Sequence, residues 1–121
     1  MFKEVTIGKK KVALLANGAT PLYYKQVFKK DIIKQFNDAP DELQAVTDSA
    51  PELAYIMAKQ AENQNEIAKM STLNFESYIA WISELNPLDI PMAADAIIAV
   101  YMGDQVPDSE PKKNKNVDQK E

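Results

Sequence analysis

Pro91-Met92-Ala93-Ala94-Asp95-Ala96-Ile97-Ile98-Ala99-Val100-Tyr101-Met102 carries a single charge, Asp95, and is closed by Gly103. Proline at the start, alanines through the middle and glycine at the end predict a helix over 91–102. A helix that is apolar on every side is either the centre of a core or offers a face to a partner or a second copy. It is too short to cross a bilayer, which takes about 20 apolar residues. The rest of the chain must therefore supply what packs around this helix.

Immediately before it, Asn74 is placed to cap a helix over 74–85, where Phe75, Tyr78, Ile79, Ile82 and Leu85 share a face with Trp81 at its edge. Asn86-Pro87 ends that helix. Further back, Ser49-Ala50-Pro51-Glu52 reads as a helix start, and Leu53, Ile56, Met57, Ala61, Ile67 and Ala68 keep helical spacing to Met70. The middle of this 51–70 segment, Gln60 to Glu66, is polar apart from Ala61; it either faces water or bulges out between two helical pieces. Residues 41–50 form at most a short separate helix. Thr20-Pro21 reads as an N-cap with proline at the first position of a helix over 20–36, whose Tyr24, Phe28, Ile32 and Phe36 step by four.

Ahead of Asn17-Gly18-Ala19, Phe2, Val5 and Ile7 face Val12 and Leu14 across Gly8-Lys9-Lys10, the pattern of a β-hairpin over 2–15. One hairpin is marginal alone and must lie on the helices. The fold expected is mainly α with a short N-terminal β-hairpin, an α+β arrangement in one small domain over 1–103. Residues 104–121 are polar and charged, too poor in apolar surface to offset the entropy of ordering, and are expected to form a disordered tail.

Composition narrows the function. The 121 residues contain no cysteine and no histidine, so thiolate metal sites, disulfides and His-based nucleophilic triads are impossible within this chain. No catalytic residue, metal ligand set or cofactor motif is expected. Glu62 and Glu66 are four apart on a helix, but they sit in a solvated Asn/Gln-rich stretch. Gly8 and Gly18 belong to no phosphate-binding loop. The opening residues lack the apolar stretch of a signal peptide, and no run spans a membrane, so the chain is expected to stay in the cytoplasm of the cell that makes it.

All 14 basic residues are lysine. Without arginine the chain lacks the planar fork that reads guanine and phosphate, and specific nucleic-acid binding is not expected. Charge is nonetheless uneven: residues 1–37 hold 8 lysines against 2 acids, and residues 38–103 hold 11 acids against 2 lysines. Lys25, Lys29, Lys30 and Lys34 cluster on the first helix. Such a run is a solvated face or a basic surface for an acidic partner. Tyr23, Tyr24 and Phe28 among these lysines read as core at helical spacing more readily than as a base-stacking platform.

Four segments taken in order resemble the tail assembly chaperones of long-tailed, siphovirus-type phages and prophages of Gram-positive bacteria. They are the hairpin with its Gly-Lys turn running through Asn17-Gly18-Ala19-Thr20-Pro21 into residues 24–32, then Leu53-Ala54-Tyr55-Ile56-Met57-Ala58-Lys59-Gln60-Ala61, the aromatic Tyr78-Ile79-Ala80-Trp81-Ile82, and the closing Ile97-Ile98-Ala99-Val100-Tyr101-Met102. The resemblance covers about residues 2–103. It implies a non-catalytic protein that binds the long, helical tape measure protein in the host cytoplasm and keeps it soluble while the tail tube polymerises around it. The protein is then absent from the mature virion. Many members of that family also have a longer frameshifted form that recruits the major tail protein, and Lys112-Lys113-Asn114 is compatible with an A-rich slippery run. The candidate partner-binding residues are Tyr78, Trp81, Ile82, Ile97, Ile98 and Tyr101, with Lys25, Lys29 and Lys30 as an electrostatic complement. Two other readings compete: a small regulatory or host-takeover protein acting on nucleic acid through the basic N-terminal region, and a minor structural tail protein.

Overall fold

The computed structural model describes residues 1–103; the expected tail, 104–121, lies outside them. The described chain is mostly helical with a two-stranded antiparallel hairpin at its N-terminus. Strand β1 (Phe2–Ile7) pairs with β2 (Lys10–Leu15) in a register that sets Val5 opposite Val12 and Lys3 opposite Leu14. The turn depends on Gly8, whose φ of +67° is open to glycine at no steric cost. A Cβ there would also sit 2.6 Å from the Asp89 carboxylate. The first residue is tied down as well, since the Met1 amino group donates to the Ala16 carbonyl.

Six helices follow: α1 (Thr20–Phe28), α2 (Ile32–Asp38), α3 (Glu42–Glu62), α4 (Ile67–Met70), α5 (Phe75–Ile82) and α6 (Asp89–Met102). The long α3 is the centre. β2, α1, α2, α5 and α6 all pack against it, and β1 lies on α6. Residues 53–58 of α3 are buried in succession, so its middle is enclosed on every side. α6, the most apolar stretch of the sequence, is buried along only one side. Ala93, Ala94, Ile97, Ile98 and Val100 enter the core, while Met92, Asp95 and Ala96 face outward.

Several boundaries differ from those the sequence predicts. The helix expected over 20–36 is two helices. Lys29 adopts a left-handed φ of 59° and donates its backbone N–H to Lys25 O, closing α1. Asp31 then starts α2 by accepting from the backbone N–H groups of Ile33 and Lys34. The bend lets Ile32 reach the core and Phe36 stack on Tyr101, at the cost of exposing Ile33. Thr20 is not the N-cap of α1. Its hydroxyl turns inward and donates to Gln60 Oε1 at 2.8 Å.

The helix expected to begin at Pro51 instead begins at Glu42, capped by Asp41, whose side chain accepts from Gln44 N at 2.8 Å. Pro51 therefore lies inside α3. It removes one hydrogen bond, to the carbonyl of Thr47, a residue on the exposed side of the helix. The same helix stops early: the segment expected to run to Met70 ends at Glu62, and Gln64 and Asn65 take positive φ before α4. Of the two readings of the polar stretch, the bulge between helical pieces is the one adopted. Its first residue is fully buried. Gln60 Nε2 donates to Asn17 Oδ1 and Asn65 Oδ1, and its Oε1 accepts from Thr20, so all three side-chain bonds join separate segments. α6 starts at Asp89 rather than at Pro91, and α5 ends at Ile82 with a turn carrying the chain to Leu85. Asn74 caps α5 as expected, in a reciprocal box with Ser77.

The start of α3 separates the two readings of residues 41–51 cleanly. Asp41→Ala is expected to lower unfolding free energy by about 1 kcal/mol, the usual worth of a side-chain cap. Ser49→Ala, which would remove the cap of a helix starting at Pro51, is expected to be neutral or mildly stabilising, because the Ser49 hydroxyl is buried without a partner. Chemical denaturation of the two variants measures both. Gln60→Leu is expected to cost about 2–4 kcal/mol in the same assay, since it strands the buried polar atoms of Thr20 and its neighbours.

Candidate partner-binding surface

The aromatic residues expected to meet a partner are largely committed to internal packing. Tyr78 is buried, with its ring 4.9 Å from Phe28 at 89° and 5.4 Å from Tyr55. Edge-to-face contacts of this kind add to the area they bury. Trp81 is half-buried against Tyr55, 5.7 Å between ring centroids. Tyr55 in turn shares a hydrogen bond with Ser77, so α5 is held on α3 by rings and by hydroxyls. Ile97 is fully enclosed, Ile98 is 9% exposed, and Tyr101 is half-buried against Phe36. Of the six apolar candidates, Tyr78 and half-buried Ile82 line one groove and Ile98 lines another.

Burial also governs the tyrosine hydroxyls. Tyr78 is pushed up to about 12, first by desolvation and then by the Glu52 carboxylate. Tyr24 is raised further, by desolvation and by donating to Glu52 Oε1 at 2.5 Å. Tyr55 is raised by desolvation, partly offset by its bond to Ser77, and Tyr101 by desolvation with a smaller push from Asp31. No cluster of three or more acidic side chains spaced to hold a metal occurs among the described residues.

The lysines divide. Lys30 pairs with Glu52 at 3.0 Å, and that carboxylate also binds Tyr24, so this lysine belongs to the framework. Lys34 lies 4.0 Å from Asp38. Lys29 donates to the Gln26 carbonyl at 2.9 Å, and Lys25 is exposed. The concavity that Lys29, Lys30 and Lys34 line is shared evenly with Asp31, Asp38 and Asp48. Interleaved acids of this kind cancel the field that a phosphate backbone needs.

The open apolar surface lies between α3 and α6. One stretch of groove, about 680 Å³, is walled by Leu43, Val46 and Ala50 of α3, by Ile82 at the end of α5 and Leu85 beyond it, and by Met92 of α6. A second stretch, about 730 Å³, continues past Val46 to Phe36 of α2 and to Ile98, Ala99 and Met102. Val46 and Asp95 line both, so the two stretches adjoin at these residues. Leu43 is 75% exposed and Met92 84%, far more than apolar side chains of this size need to be. Leu43 and Val46 were not among the residues the sequence singled out, whereas Met92 lies in the apolar 91–102 stretch offered as a partner face. Leu43, Val46 and Ala50 repeat at helical spacing, a stripe that joins the main helix once α3 is read through Pro51.

Comparison with known proteins finds no matching family model, no matching curated protein and no matching solved structure. Among the described residues no helix is long and apolar enough to cross a membrane.

The tyrosines make the packing testable by pH. The folded chain holds these protons more tightly than the unfolded chain, so their contribution is complete below about pH 10 and declines as pH rises from 10 towards 12 and beyond. Alkaline titration followed by tyrosinate absorbance should show four of the five tyrosines ionising late and together with loss of helical circular dichroism. Early, independent ionisation of Tyr24 and Tyr78 would contradict the packing described.

Proposed function

We propose that this protein is a tail assembly chaperone of a long-tailed phage or prophage, a non-catalytic protein that binds the tape measure protein in the host cytoplasm. The observation that carries the reading is the open apolar channel between α3 and α6, bordered by Leu43 and Met92. A client that is long and largely helical needs a groove that accepts the apolar face of a helix, and this recognition mode uses anchors spaced at i, i+3, i+4 and i+7. The channel runs beside α6, whose 14 residues extend about 21 Å, so three or four turns of a client helix match it.

The four sequence segments that resemble the chaperone family fall on the hairpin with α1, the enclosed part of α3, α5 and α6, the elements that build the channel's walls and the core behind them. A chaperone must also release its client when tail tube subunits arrive. An open groove with few polar anchors suits that, because affinity then rests on apolar area that a polymerising tube displaces. On this reading the protein leaves before the virion matures, and a frameshifted form, if made, adds contacts to the major tail protein. The nucleic-acid reading is weakened by Asp31, Asp38 and Asp48 among the lysines.

Co-expression with the tape measure protein encoded beside it is the test. The expected outcome is a tape measure protein that moves from the insoluble to the soluble fraction and co-elutes with this chain on size exclusion. Met92→Glu, a change at a highly exposed position, should reduce co-elution several-fold without altering the chaperone's own helicity. A tape measure protein left insoluble by both this chain and its frameshifted form would rule the reading out.

A further inference from the structure

We infer that the α3–α6 channel takes an amphipathic helix carrying a lysine or arginine near the centre of its apolar face, with Asp95 as the residue that receives it. The inference rests on the chaperone reading only for the identity of the natural client; the chemistry of the groove stands on its own. Among the described residues, Asp95 is the one charged residue lining the first stretch of the channel, and Asp41 is the only other acid lining the second. Among those residues no lysine lines either stretch and no cation pairs with Asp95. A carboxylate flanked by Val46, Met92 and Ala99 loses water when an apolar face covers it, and that loss is unfavourable unless a cation arrives with the covering helix.

The same geometry disfavours the simplest alternative occupant. A symmetric pair of copies joined through this channel would bring the two central Asp95 carboxylates towards each other across the two-fold axis, where like charges repel. The occupant that satisfies the site is apolar along its length and positive at its middle.

The experiment uses the full chain and two labelled synthetic helices of about 14 residues, the length of helix the channel accommodates. They are identical leucine-faced amphipaths except for a central lysine in one and a central glutamate in the other. Fluorescence anisotropy should show the lysine peptide binding about three- to tenfold more tightly, the range expected of one ion pair that is partly desolvated on docking. Asp95→Lys should invert that order, and Met92→Glu should weaken both peptides; both positions are exposed, and circular dichroism checks that the helices are kept. Equal binding of the two peptides, binding of neither, or binding indifferent to both substitutions would overturn the proposal. So would a concentration-dependent dimer abolished by Met92→Glu, which assigns the channel to a second copy. If the peptides show the charge inversion but the tape measure protein is not solubilised, the chaperone reading fails and the groove assignment survives. The reverse pattern fails the groove assignment alone.

Discussion

Every element of this domain depends on α3 presenting a different side to each neighbour. Leu53, Ala54, Tyr55, Ile56, Met57 and Ala58 are consecutive and all buried, which a helix achieves only when it is surrounded. The hairpin, α1, α2, α5 and α6 are each too short or too narrow to hold a core alone, and each finds it on α3. Burial at 25 cal/mol per Å² of apolar surface, roughly, favours this arrangement over separate pairs of helices because the middle of one central helix is removed from water on every side at once. The polar contacts reinforce the same axis. Gln60, at the far end of α3, bonds the residues that lead into α1 and those that follow α3, so the bulge after Glu62 and the turn before Thr20 are positioned by one side chain.

That architecture explains why the most apolar helix is not the most buried. With α3 at the centre, α6 becomes an outer helix, and it needs only one apolar side. Its composition exceeds that need. The surplus, Met92 with Ala99 and Met102, is paired on the facing rim by Leu43 and Val46, themselves outside the enclosed part of α3. Single exposed apolar residues require no explanation, but two rims that face each other across a channel do. The excess is apolar surface beyond what the core packing uses.

How much of this was legible in the sequence depends on the range over which each signal acts. The hairpin, its glycine turn, the Asn74 cap and the apolar α6 rest on neighbours within a few residues and were read correctly. The misreadings share a different cause. Lys29 in a left-handed conformation and Pro51 inside a helix both run against local preference, and tertiary packing overrides each. Asp31 supplies the capping chemistry for α2, but Tyr24, Phe28, Ile32 and Phe36 continue in step across the bend, which hides it. The surface is subject to the same limit. A helix start at Pro51 leaves Leu43 and Val46 outside the main helix, and with them one wall of the channel. The aromatic candidates of α5, Tyr78 and Trp81, pack on Phe28 and Tyr55.

Asp95 gives the channel a discrimination that apolar area alone lacks. A purely apolar groove binds any amphipathic helix in any register, since sliding by one turn exchanges one leucine for another. A single carboxylate at the middle changes that balance. A helix that covers Asp95 with an apolar side chain leaves a charge stripped of water and unpaired, so misregistered and unsuitable helices are rejected by a desolvation cost rather than by lost attraction. The correct helix recovers that cost through one ion pair, whose net gain is small. Affinity therefore stays moderate while register is fixed, and a binder that must hold one segment of a long client and then give it up requires that combination.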